Sequence, residues 1–98
     1  MKIVLSTLNS RYTHSSLGLR YIYANLGEFQ KDAEIMEFSI NDALQSVAEK
    51  LLDTNPKIIA LGVYIWNASQ TQQLLEIIKK VSPDTLVVLG GPEVSHEP

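Results

Sequence analysis

The sequence predicts an α/β domain, a parallel Rossmann-like sheet of the flavodoxin-like kind with helices against its faces. Three observations carry this. Short β-branched runs alternate with amphipathic stretches, in the order strand, helix, strand, helix, strand, helix, strand. The stretches between strands are long enough to be crossover helices, which parallel neighbours require and hairpins do not. Two of the runs, KIVLS and KIIALGVYI, are apolar almost without interruption, as strands buried on both faces are.

The first strand reads as Lys2–Thr7. Ser15 or Ser16 then offers an N-cap, because a short hydroxyl side chain can accept from an unsatisfied first-turn N–H. Leu19, Ile22, Leu26 and Phe29 recur at spacings of three and four, one face of a helix, and Gly27 marks its end. Ala33–Ser39 alternates apolar and acidic side chains, as a half-exposed edge strand does. Ser39 with Asp42 makes an S-x-x-D capping signal for a second helix, whose apolar face is Leu44, Val47, Ala48 and Leu51. Pro56 stops that helix and introduces Lys57–Ile65, the most apolar strand and so the one expected at the centre. Ser69 with Gln72 reads as another capping box, ahead of a third helix with a buried stripe of Leu74, Ile77, Ile78 and Val81. Ser82-Pro83-Asp84 turns the chain into a last strand, Thr85–Leu89, followed by Gly90-Gly91-Pro92.

Right-handed crossovers give the strand order 2-1-3-4, with the first helix on one face and the second and third on the other. Strands 3 and 4 then have one bare face, and strand 4 is an open edge. The expectation is a single α/β domain over residues 1–98, the front part of a longer chain truncated before its last elements. A bare sheet face also predicts self-association of the fragment.

Composition narrows the function. At 98 residues, with 45% hydrophobic and 19% charged side chains, the chain is that of one ordinary globular domain. Eight basic residues against 11 acidic ones give a net charge of −3, and the basic ones are scattered, which disfavours nucleic-acid binding by charge. With no cysteine, disulfides, thiolate zinc sites and cysteine-held iron–sulfur clusters are excluded within this chain. The N-terminal apolar run is too short for a signal peptide or membrane span, so a cytoplasmic location is the expectation.

In an open parallel sheet, ligands bind beyond the carboxyl ends of the strands, where strand order reverses. That point lies between strands 1 and 3. The loops Leu8–Ser15, Ile65–Ser69 and Gly90–Ser95 converge on it. The first of them is dense in hydrogen-bonding side chains, as a ligand loop or a solvated turn would be. A lone loop histidine such as His14 is more often solvated or capping than metal-ligating, and no second ligand stands at metal spacing beside it. Gly90-Gly91 suits either a plain turn or close backbone approach to a flat ligand, and Tyr64 and Trp66 suit either packing or stacking. No G-x-G-x-x-G follows the first strand, which disfavours a dinucleotide site.

The stretches MKIVLSTLNSRYTHSSLGLRYIYANL at the start and VLGGPEVSHEP at the end resemble the N-terminal cobalamin-binding domain of cobalamin-dependent radical S-adenosylmethionine proteins, many of them called methyltransferases. The resemblance implies a Rossmann-like half that holds cobalamin over its strand ends. A catalytic barrel follows in cis, with S-adenosylmethionine and a 4Fe–4S cluster held by CxxxCxxC. This chain has no cysteine, so that barrel lies outside it and the fragment alone is expected to bind without catalysing. By position, the implied cofactor-binding residues are Asn9, Ser10, Arg11, Tyr12 and His14 on the first loop, Tyr64, Trp66 and Asn67 on the second, and Gly90, Gly91, Pro92 and Glu93 on the third.

One departure matters. Cobalamin domains with a lower histidine ligand carry D-x-H-x-x-G after strand 1. Here Tyr12 stands two before His14, where Asp would be, and Gly18 lies four after it. Without the carboxylate to hold the other imidazole nitrogen, ligation loses its support. The loop is therefore expected to face the corrin without His14 holding the cobalt. The rival expectation is a flavodoxin-like structural or regulatory domain that has lost cofactor binding, since fold alone never establishes function.

Overall fold

The computed structural model describes residues 2–9, 23–63 and 67–90. Four strands form one sheet: β1 (Ile3–Asn9), β2 (Ala33–Ser39), β3 (Ile58–Gly62) and β4 (Leu86–Gly90). All three pairings are parallel and the spatial order is β2-β1-β3-β4, as the alternating pattern requires. Two helices belong to the described residues, α1 (Leu44–Leu52) and α2 (Ala68–Val81). None of the described helices is long and apolar enough to cross a membrane.

The strand period of two assigns the side chains to faces. On one face, Val4, Leu8, Ile59 and Leu61 pack against Val47, Ala48 and Leu51 of α1 and Leu74 and Ile78 of α2. Each fully buried aliphatic side chain there contributes about 1.5–3 kcal/mol of transfer free energy. On the other face, Ile3 and Leu5 are covered by Tyr23 and Leu26, with Ile35, Ile58 and Ala60 around them. That cover does not reach β4, where Leu86 is 55% and Val88 46% exposed. The sheet is thus bare on one face at β4, as the crossover argument expects.

Several local readings change. β3 is interior, between β1 and β4, as expected, but it ends at Gly62 and its burial alternates, while all seven residues of β1 are buried. Phe29 does not extend a helical stripe. Gly27 takes φ +60, and a 3-10 segment, Gly27–Asp32, leaves Phe29 48% exposed. Ser39 and Asp42 do bond, Ser39 N–H to Asp42 Oδ2 at 2.9 Å, yet they close a turn ahead of the helix, whose N-cap is Ala43. Ser69 lies inside α2 rather than capping it, and Asn67 occupies the N-cap position. Val81, the last residue of α2, is 68% exposed beside a groove between the two helices.

Candidate functional site

Backbone direction along β1 alternates with residue parity. The Lys2 carbonyl accepts from Ile58 N–H on β3, and the Asn9 carbonyl accepts from Ile40 N–H, beyond β2. Even-numbered residues of β1 therefore turn their peptide groups toward β3. On β3, Lys57 turns its carbonyl to Leu86 N–H of β4, so Gly62, of opposite parity, turns its own back to β1. The β1–β3 pairing ends at Thr7 opposite Gly62. The Thr7–Gly62 pair itself brings Leu8 N–H to the Gly62 carbonyl, so the Leu8 carbonyl is the inward-facing acceptor beyond the last described rung, and a buried carbonyl needs a donor.

Asn67 supplies it. Its carboxamide, 0% exposed, donates from Nδ2 to the Leu8 carbonyl at 2.9 Å, with Thr7 Oγ1 and the Gly62 carbonyl each at 3.3 Å. Thr7 Oγ1 in turn donates to the Gly62 carbonyl at 3.1 Å. An asparagine ahead of a helix is among the best N-caps, yet here it makes no capping bond. Its amide adds one side-chain rung to the ladder between β1 and β3. Toward β2, Asn9 Nδ2 donates to Glu37 Oε1 at 3.0 Å. Toward β4, Val63 N–H donates to the Gly90 carbonyl at 2.6 Å.

The register sets Glu37, Thr7, Gly62 and Gly90 in one row across all four strands, on the face that is bare at β4. A Cβ added at Gly90 would meet nothing within 4 Å, so the row ends in open space. Among the described residues, the row and its neighbours Asn9 and Asn67 carry amide, hydroxyl and backbone groups, with Glu37 as the carboxylate. Such a set suits a neutral ligand rich in hydrogen-bonding arms better than a polyanion. Among the described residues no group of three or more His, Cys, Asp or Glu could hold a metal ion.

Of the residues singled out from sequence, Asn9, Asn67 and Gly90 are described, and all three lie at this carboxyl edge. Ser10, Arg11, Tyr12, His14, Tyr64, Trp66, Gly91, Pro92 and Glu93 lie outside the described residues. Sequence reasoning missed Thr7, Gly62 and Glu37. The available signal was the pair of polar residues, Thr7 and Asn9, alternating on one face at the end of an apolar strand.

Residues 3–98 match the family model of the B12 binding domain. A 2-(S-pantetheinyl)-carbapenam-3-carboxylate methyltransferase from Streptantibioticus cattleyicolor is 35% identical over 57 residues, 58% of this chain. The cobalamin-dependent radical SAM methyltransferase TokK of Streptomyces tokunonensis is 33% identical over 55 residues, 56% of this chain. In both cases the matched stretch is 8% of the relative's own length.

Proposed function

This chain belongs to the B12 binding domain family, and on that premise we propose that it is the cobalamin-holding module of a radical S-adenosylmethionine enzyme of the methyl-transfer type. The family match across residues 3–98 carries the reading. The methyl-transfer part is supported by what its relatives are called. The neutral, hydrogen-bonding character of the carboxyl edge fits a corrin, whose rim bears carboxamide arms, and the open space at Gly90 leaves room beside it.

Cobalamin, when bound, supplies a carried methyl group. The residues of this chain bind it and orient it. The proposed contacts are Asn9, Ser10, Arg11, Tyr12 and His14, then Tyr64, Trp66 and Asn67, then Gly90, Gly91, Pro92 and Glu93. None is assigned a catalytic or metal-ligating role. S-adenosylmethionine and the 4Fe–4S cluster belong to a proposed radical domain in cis, and the 98-residue segment alone binds without catalysing. Cytoplasmic location and self-association of the isolated segment go with the same reading.

The test uses the native-length protein, reconstituted anaerobically, incubated with hydroxocobalamin, desalted and scanned in the visible range. Retained corrin with a spectrum unchanged by His14→Ala is the expected result. A spectrum that shifts with that substitution would make His14 a lower ligand. Failure to retain corrin would favour the structural-domain reading, which the missing D-x-H-x-x-G motif supports.

A further inference from the structure

We propose that Asn67 is a positioning residue, which sets the spacing of the β1 and β3 ends at the carboxyl edge of the sheet. The inference rests on the cobalamin-binding reading and deepens it. It assigns Asn67 a role through the strands, beside the contact proposed above.

The argument starts from where the two strand ends go. After β1 the chain passes to the face covered by Tyr23 and Leu26; after β3 it passes to the opposite face, where α2 packs. Connections leaving to opposite faces open a crevice between adjacent strands, and in this class of sheet that crevice is the ligand site. Among the described residues the β1–β3 pairing runs no further than Thr7 and Gly62. Asn67 sits at the start of α2, on the far side of the β3 connection, and reaches back to both strands.

The amide nitrogen bonds to both strands. One amide hydrogen serves the Leu8 carbonyl, the shortest of the contacts at 2.9 Å. The other is shared between Thr7 Oγ1 and the Gly62 carbonyl, and the Thr7 hydroxyl passes its own hydrogen to that same carbonyl. The Leu8 carbonyl of β1 and the Gly62 carbonyl of β3 thus accept from one side chain, which couples the two strand ends. The side chain does this in place of capping its own helix, a loss worth about 1 kcal/mol of helix stability. If only the fold were at stake, capping would serve α2 at least as well. The bonds it makes instead fix the mouth of the crevice.

A site held within a few tenths of an ångström depends on such support, and loosening it weakens binding even where the fold survives. The test measures cobalamin affinity and thermal stability together in the native-length protein, with hydroxocobalamin as the probe. Ile78→Val and Ile78→Ala, in the core of the same helix and buried to 0% exposure, bracket the stability loss without touching the edge. Asn67→Ala is expected to weaken retention about tenfold, the equivalent of about one lost buried hydrogen bond. It should also shift the visible spectrum of the corrin that remains. The Ile78 variants should stay within about twofold of wild type and keep its spectrum.

A folded Asn67→Ala protein that binds like an equally destabilised Ile78 variant would overturn the proposal. Should Asn67→Ala not fold, Asn67→Ser decides: it keeps a small polar side chain but withdraws the amide from both carbonyls, and unchanged affinity there overturns the proposal too. Wild-type protein that retains no corrin would sink the parent reading, and the positioning role with it, before any variant is compared.

Discussion

The two ends of the sheet join the same strands by different means. At the amino end, Lys2 Nζ stands 2.7 Å from Glu34 Oε1, linking β1 to β2, with the side chains 38% and 44% exposed. At the carboxyl end, Asn9 and Glu37 link β1 to β2, while Asn67 and Thr7, 0% and 2% exposed, link β1 to β3. Water competes with an exposed ion pair, which is worth about 0–1 kcal/mol. A buried neutral network gains modestly when made, but leaving one of its groups unpaired costs about 1–3 kcal/mol. The amino end is therefore merely joined, and the carboxyl end is held in one geometry. Orientation is enforced at the end where a ligand is expected, and the stability of the sheet comes mainly from the apolar core between.

The sharpest way to break this contrast is Asn67→Asp. The substitution removes both amide donors and sets a carboxyl among carbonyl oxygens in a fully buried place. A loss of about 3–5 kcal/mol is expected at neutral pH, as for other unpaired buried charges. Burial favours the protonated form of the introduced carboxyl. Its folded-state pKa is thus raised, and stability falls as pH rises through the range above the unfolded value. Denaturant melts at acid and neutral pH measure both parts, and equal losses at the two pH values would contradict the buried environment.

Thr7→Val comes next. It deletes the relay hydroxyl but leaves Asn67 to serve the Gly62 carbonyl, so a loss of about 1 kcal/mol is expected in the same melts. Lys2→Met probes the other end of the sheet and should cost less than about 1 kcal/mol, a cost that shrinks further in high salt. A larger effect at Lys2 than at Thr7 would reverse the comparison. Ser6→Ala is the smallest. Ser6 Oγ is buried on the helix-covered face without a hydrogen-bond partner among the described residues. Its removal should leave stability within about 0.5 kcal/mol of wild type, or raise it. Ser6 and Thr7 are neighbours in sequence, yet the period of two puts their hydroxyls in different chemistry.

Strand order, parallel pairing and the packing of the second and third helices on one face were legible in the sequence, because they follow from the period of apolar residues and the handedness of crossovers. Even the bare face at β4 followed from counting elements on each side. The role of Asn67 was not legible. Whether an asparagine caps the helix behind it or reaches another strand depends on partners that lie 59 and 60 residues away in the chain. Ser69 and Gln72 matched a capping pattern as well as any, yet the helix starts earlier, at Ala68. Val81 fitted the apolar stripe of α2, but as its last residue it falls beside the groove between the helices, outside the core.

The most direct measurement is hydrogen exchange on the native-length protein with and without cobalamin, read on peptides from each end of the sheet. The account predicts slowed exchange in peptides covering residues 8–15, 62–68 and 89–95, with those covering 55–59 and 83–87 unchanged. Protection confined to the second group, or spread evenly over both, would contradict the claim that the carboxyl end is the ligand edge.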